Sequence, residues 1–224
     1  MPQPSIGSNN CLSQLRHGQT HHDRQPLPLL NTDTPFQAEI GISNWKLAIH
    51  EAQSRVLERV AKAEPLPQLL KALVQEIEAL SEAHCSILLL NAAKTHLVLG
   101  AAPSFPESYQ AFLTDGLLIE PDSGTCGPAI CRRQSVESFD VRVDPLWDAC
   151  RDFPLSYGFY AYWSSPILDS HGQPLGTFGM VYARPQQPTP LDRQLVAAAT
   201  HLAGIAIERE RAEERLHLLS ADLE

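Results

Sequence analysis

An α+β fold, with a mainly antiparallel sheet and helices gathered at its two ends, is what this sequence predicts. Three observations carry that expectation. Helical apolar periodicity occupies both ends of the ordered chain, over 44–80 and again after Pro190. Between them lie six short strand candidates bounded by polar or glycine-containing turns. No internal repeat links the segments, so a solenoid is excluded and segregated helices on an antiparallel sheet remain.

Composition sets the outer limits. With 224 residues, 43% hydrophobic and 19% charged, the chain suits one domain with extra segments and can bury a sizeable core. A net charge of −9 argues against a nucleic-acid partner, which needs basic surface to neutralise phosphates. No run approaches the roughly 18 apolar residues of a membrane span, and MPQPSIGSNNC lacks the basic and apolar regions of a secretory leader. The expectation is a soluble cytoplasmic protein with no membrane partner. Five scattered cysteines without a CxxC pair predict reduced thiols and announce no metal site.

Residues 1–43 carry five prolines among polar residues and read as a flexible arm, in which His17, His21 and His22 are solvated. The folded domain is expected over 44–207. Ser43 is the candidate N-cap of a helix running towards Ala63, and Pro65 and Pro67 end it. Leu69, Leu70, Leu73, Ile77 and Leu80 then form the apolar stripe of a second helix. Ser86–Leu90 and Thr95–Ala101 read as a hairpin, followed by strand candidates at Leu117–Glu120, Ser135–Phe139, Tyr160–Leu168 and Leu175–Tyr182. The last two are joined by the turn 169–173, and Gly124–Ile130 reads as a glycine-rich turn entering a short helix.

After Pro190 one helix continues without a breaker. Leu195, Ala198, Leu202, Ile205, Arg209, Ala212, Leu216 and Leu219 step alternately by three and four residues, as in a coiled-coil seam. Up to about Ile207 a helix lying on its own sheet explains the pattern. Over 208–224 the apolar stripe is too narrow for that, and a partner helix in a parallel homodimer explains it better.

Five landmarks in register give the chain a family resemblance. Asp122–Gly127, Asp140 with Asp144-Pro145-Leu146-Trp147, Ala161–Ile167, Leu175–Gly179 and Ala206–Arg209 together resemble a GAF domain over about residues 44–210. The resemblance implies a six-stranded sheet with terminal helices on one face and a small-molecule pocket on the other. It is closest in kind to modules that bacterial signalling proteins carry upstream of histidine kinase, diguanylate cyclase or cyclic-di-GMP phosphodiesterase domains. A sensory module, passing its state through a dimeric C-terminal helix to an effector domain in a longer chain, is the function it implies. A ligand-free dimerisation module stays open beside it.

The ligand is unidentified and no cofactor is named by these residues. Trp147, Tyr157, Tyr160, Tyr162 and Trp163 fall within 17 positions of a chain only 7% aromatic, where the family's pocket would be. With Cys126 and Phe178 they are the candidate ligand-contacting residues. Strand alternation sets Tyr160, Tyr162 and Ser164 on one face and Ala161, Trp163 and Ser165 on the other, without saying which faces the pocket. The Asn-Lys, Phe and Asp-Glu signature of cyclic-nucleotide binders is absent. The His84-Cys85 pair lies at the start of the first strand, the wrong place for a bilin attachment. His171 and His201 read as surface or helix-face residues, not haem ligands.

An enzymatic alternative comes from Cys126 and Cys150, whose spacing resembles the cysteine pair of free methionine sulfoxide reductases on this same fold. Cys126 at a helix N-terminus would supply the low-pKa thiolate that such chemistry needs. The acidic residues that hold the substrate's amino group there have no counterpart, because Tyr160–Ile167 contains no carboxylate and Gly179-Met180-Val181-Tyr182 stands in the acidic strand. A non-catalytic role is therefore preferred, with neither catalytic nor metal-binding residues assigned.

Overall fold

The computed structural model describes the backbone of residues 35–221 and the side chains of 45–220. Residues 1–34 of the expected arm, with its three histidines, therefore lie outside the described residues, whereas residues 35–43, expected to be flexible, are helical. Helix α1 spans Pro35–Ala61 and α2 Leu66–Glu78. Strands β1 (His84–Leu90) and β2 (His96–Ala101) follow as a hairpin. Helix α3 (Glu107–Asp115), β3 (Leu117–Leu118), α4 (Cys126–Arg132), β4 (Val136–Ser138), a 3-10 turn at Pro145–Trp147 and α5 (Asp152–Ser156) form the middle. Strands β5 (Ala161–Leu168) and β6 (Pro174–Tyr182) and helix α6 (Pro190–Ala221) complete the described residues.

The six strands lie in the order β3-β2-β1-β6-β5-β4, and every neighbouring pair is antiparallel. The first and last hairpins thus meet at the sheet centre through β1 and β6. Gly176 is required there, because a Cβ on it would stand 2.1 Å from the Leu88 carbonyl oxygen.

Two cores lie on opposite sheet faces. On one, α1, α2 and α6 pack Leu69, Leu73, Leu195 and Leu202 against Ile87, Trp163, Phe178 and Met180. On the other, α3, the 3-10 turn and the loops cover Leu88, Tyr162 and Val181 with an aromatic cluster.

Six strands were expected and six are found among the described residues, at nearly the expected positions. The first helix differs. It begins at Pro35, so Ser43 lies inside it and is not its N-cap. A capping residue is a weak boundary signal, and proline fits a first helical turn, where its missing N–H has no partner to lose. The same physics lets α2 start across Leu66 and Pro67, with Pro65 as its N-cap. Helices α3 and α5 were not expected, since nine and five residues give too few turns for a clear period.

The long helix α6 divides by packing. Leu195, Leu202, Ala206 and Ile207 are buried within the domain, whereas Leu216 and Leu219 remain 67% and 57% exposed. The first half of the heptad-like seam is therefore filled by this chain's own core. Arg209 marks the junction, donating to the carbonyls of Val60 at 2.6 Å and Glu64 at 2.7 Å and so tying α6 to the end of α1.

Candidate functional site

On the sheet face opposite the terminal helices lies a cavity of about 120 Å³. Its floor is built by alternation. Ser86 and Leu88 of β1, Gly179 and Val181 of β6, and Tyr162 and Ser164 of β5 project to this side, while their sequence neighbours fill the helix-side core. Its roof comes from Phe105, the α3 residues Tyr109, Phe112 and Leu113, and from Trp147, Cys150 and Phe153 further along the chain. The loop 123–127 closes one end. Gly127 makes that closure possible, because a Cβ there would come within 2.3 Å of the Glu120 carbonyl oxygen.

The walls are aromatic. Phe112 and Phe153 approach to 4.2 Å between ring centroids, Tyr109 and Phe153 to 5.1 Å, and Trp147 and Tyr162 to 4.5 Å. Two polar stations interrupt them. The Tyr109 and Tyr162 hydroxyls lie 3.0 Å apart, joining the α3 roof to the β5 floor. At the other station, Ser164 Oγ lies 2.7 Å from Thr125 Oγ1 and 3.1 Å from Cys126 Sγ. Trp147 is held separately, its indole N–H donating to Ser138 Oγ at 3.0 Å. It sits in the turn whose Asp144 carboxylate accepts the Leu146 N–H.

Burial governs the two shifted groups of the cavity. Burial pushes the Cys126 thiol up, against the opposing hydrogen bonds from Ser164 and its hydroxyl neighbours. Burial, followed by the neighbouring Tyr109, raises the Tyr162 phenol well above its ordinary range. The thiolate-favouring effect expected from the start of α4 is thus outweighed by desolvation. Among the described residues that form the wall there is no Lys, Arg or His, and Glu120 is the lone carboxylate.

Of the candidate residues, Cys126, Trp147 and Tyr162 line this cavity, and Cys150 joins them. Trp163 borders it, but its ring packs in the helix-side core beneath the Arg193 guanidinium, 5.3 Å from the ring centroid. Phe178 does not belong to the site. It is fully buried on the helix side, because β6 turns even-numbered residues away from the cavity. Tyr160 precedes β5 and lies outside the wall, its ring under Arg142 at 5.5 Å. Tyr157 stands behind the wall against Tyr109 and Phe153, with its hydroxyl donating to Ser108 at 3.0 Å.

Sequence reasoning missed the α3 contribution. Tyr109, Phe112 and Leu113 do fall on one helix face after Pro106, but three positions in nine residues make a short signal. Thr125 and Ser164 carried no comparable signal. Their role depends on α4 lying over β5, a contact between residues 39 positions apart.

The GAF domain family model matches residues 63–208. The chain belongs to the GAF domain family. Over 166 residues it is 31% identical to the methyl sulfide methyltransferase-associated sensor of Methanosarcina acetivorans, a match covering 74% of this chain and 16% of that protein. The chain therefore spans only a small part of the length of that relative. The GAF domain of an Acinetobacter phosphoenolpyruvate-protein phosphotransferase superposes with a TM-score of 0.58 at 15% identity, covering 75% of this chain and 97% of that one. The type II free methionine-R-sulfoxide reductase of Thermoplasma acidophilum superposes with a TM-score of 0.51 at 16% identity, covering 65% and 96%. At such identities the structural likenesses speak for the fold alone. Among the described residues, no helix of this GAF domain is long and apolar enough to cross a membrane.

Proposed function

We propose that this GAF domain is the sensory module of a signalling protein. A small molecule enters the aromatic cavity, and α6 carries the result, as one strand of a homodimeric coiled coil, to an effector domain. The observation that carries this reading is the two-sidedness of β5. Tyr162 and Ser164 stand in the cavity, while the residue between them, Trp163, lies on the reverse face under Arg193 of α6. A second link runs from the β5–β6 turn, where the Ser170 N–H and hydroxyl donate to the Glu208 carboxylate at 3.0 and 2.8 Å. A shift of β5 on ligand entry would be felt by α6 at both points. The Methanosarcina relative, a protein named as a sensor, agrees with the reading.

The same site is non-catalytic on this reading. The resemblance to sulfoxide reductases rests on Cys126 and Cys150, both in the cavity wall, but a thiol held protonated by burial is a poor nucleophile at neutral pH. Turnover of free methionine sulfoxide with a thiol reductant would overturn this.

Native mass spectrometry of the purified chain tests ligand and assembly together. The expected result is a dimer that carries or accepts a small mass. Leu216→Lys with Leu219→Lys should release monomers of unchanged fold, since both side chains are exposed in the single chain. A monomer in the unaltered chain would remove the coiled-coil output from the proposal.

A further inference from the structure

We infer that the cavity takes a ring-sized organic molecule without negative charge, held by its apolar body and by one hydrogen-bonding group. This rests on the sensory reading of the same cavity and narrows it to a ligand class. The size comes from the space available. About 120 Å³ is comparable to the roughly 150 Å³ cavity that accommodates benzene in an engineered protein core. Rings fit the walls, because the aromatic faces of Trp147, Phe112 and Phe153 offer stacked and edge contacts.

The charge restriction comes from what surrounds that space. An anion taken out of water needs a paired cation or several donors, and no basic side chain is found among the described residues of the wall. The hydroxyl and thiol groups of the two stations are already directed at one another, at 2.7 to 3.1 Å. The arrangement suits a neutral partner instead. A hydroxyl both donates and accepts, so the Tyr162 oxygen retains acceptor capacity while it is bonded to Tyr109. A ligand O–H or N–H can join that pair without ionising anything. Burial of the Tyr162 phenol acts in the same direction, keeping it protonated.

Three probes of one ring size separate the possibilities: phenol, toluene and benzoate. Each is titrated into the full chain while the methyl resonances of Leu88 and Val181, on the cavity face, are compared with those of Leu73 and Leu195, on the helix side. Phenol and toluene are expected to shift the cavity methyls saturably and leave the others still. Benzoate should require at least tenfold higher concentration. Benzoate saturating alongside phenol would overturn the charge restriction and leave the cavity as a binding site. If no probe moves Leu88 and Val181, or if Leu73 and Leu195 move equally, both this inference and the sensory reading of the cavity fall.

The polar station has its own readout. In Tyr162→Phe the ring remains and the hydroxyl goes, so phenol should weaken several-fold while toluene is unchanged. Tyr109→Phe offers the same comparison if the first variant fails to fold. Equal behaviour of phenol and toluene in the folded variant would remove the hydrogen-bonding requirement.

Discussion

The two faces of the sheet are built by the same strands and serve opposite ends. On the helix face, Ile87, Trp163, Phe178 and Met180 meet the leucines and alanines of three helices in a filled apolar core. On the other face, Ser86, Tyr162, Ser164 and Gly179 meet aromatic rings that leave a cavity between them. One face obeys the close packing of protein interiors, and the other departs from it. Where packing is complete, a lost atom costs stability. Where space is left open and polar groups pair across it, a lost atom changes what can bind there.

Phe178→Ala is the largest break in that comparison. It removes a fully buried ring from the helix face, and large-to-small changes of this kind cost about 3–5 kcal/mol. Chemical denaturation should show a loss of that size, whereas Tyr162→Phe on the cavity face keeps its ring and should lose less, about 1–3 kcal/mol for removing one side of a buried hydrogen bond. Equal losses would mean that the cavity face is packed as tightly as the other.

Gly127→Ala follows. Its new Cβ would lie 2.3 Å from the Glu120 carbonyl, so α4 must move away and take Thr125 and Cys126 off Ser164. Overpacking costs about 1–3 kcal/mol. The sharper expectation is that the loss on denaturation comes with altered probe binding, because the displaced segment is cavity wall.

The same contrast explains what could be read from the sequence. The strands were legible because alternation and turn residues act locally, and the Leu69–Ile77 stripe announced α2 in the same way. The seam of α6 was legible too, but its partner was not. Leu195 and Leu202 answer to this chain's own core, while Leu216 and Leu219 face outward. For the site, local signals gave Trp147 and Tyr162, and the family motif gave Cys126. Phe178 was misplaced, because alternation gives two faces and only tertiary structure says which one is hollow. Tyr109 depended on a nine-residue helix folding back over the sheet to meet a tyrosine 53 positions away. No local pattern encodes that distance.

Alkaline pH loads both faces at once. Cys85 on the helix side and Cys126 in the cavity are both held above the ordinary thiol value of 9.0, and Tyr162 and Tyr182 above the ordinary phenol value of 10.0, in each case chiefly by burial. These folded-state values are raised, so stability is complete below about pH 9, where folded and unfolded chains alike are protonated. Above it the unfolded chain loses protons that the folded chain retains, and stability falls by up to about 1.4 kcal/mol per pH unit for each such group. Denaturation midpoints from pH 8 to 10.5 should decline with increasing slope. A flat profile would mean that these groups are solvated.

The thiols also separate the faces at neutral pH, with no change in stability. Cys131 is exposed, Cys126 lies half-buried in the cavity wall, and Cys85 is fully buried under the helices. Alkylation with iodoacetamide, followed by peptide mass mapping, should modify Cys131 first. Cys126 should react more slowly, through local opening of the short α4 segment. Cys85 requires the helix-side core to open, so its rate should track global unfolding and rise with denaturant as the folding equilibrium does. The rate at Cys126 should fall when phenol occupies the cavity, the rate at Cys85 should fall only by the stability that phenol binding adds to the folded domain, and the rate at exposed Cys131 should not change. Protection of Cys85 without protection of Cys126 beyond it would mean that the probe stabilises the domain from elsewhere, and the division of labour between the two faces would be lost.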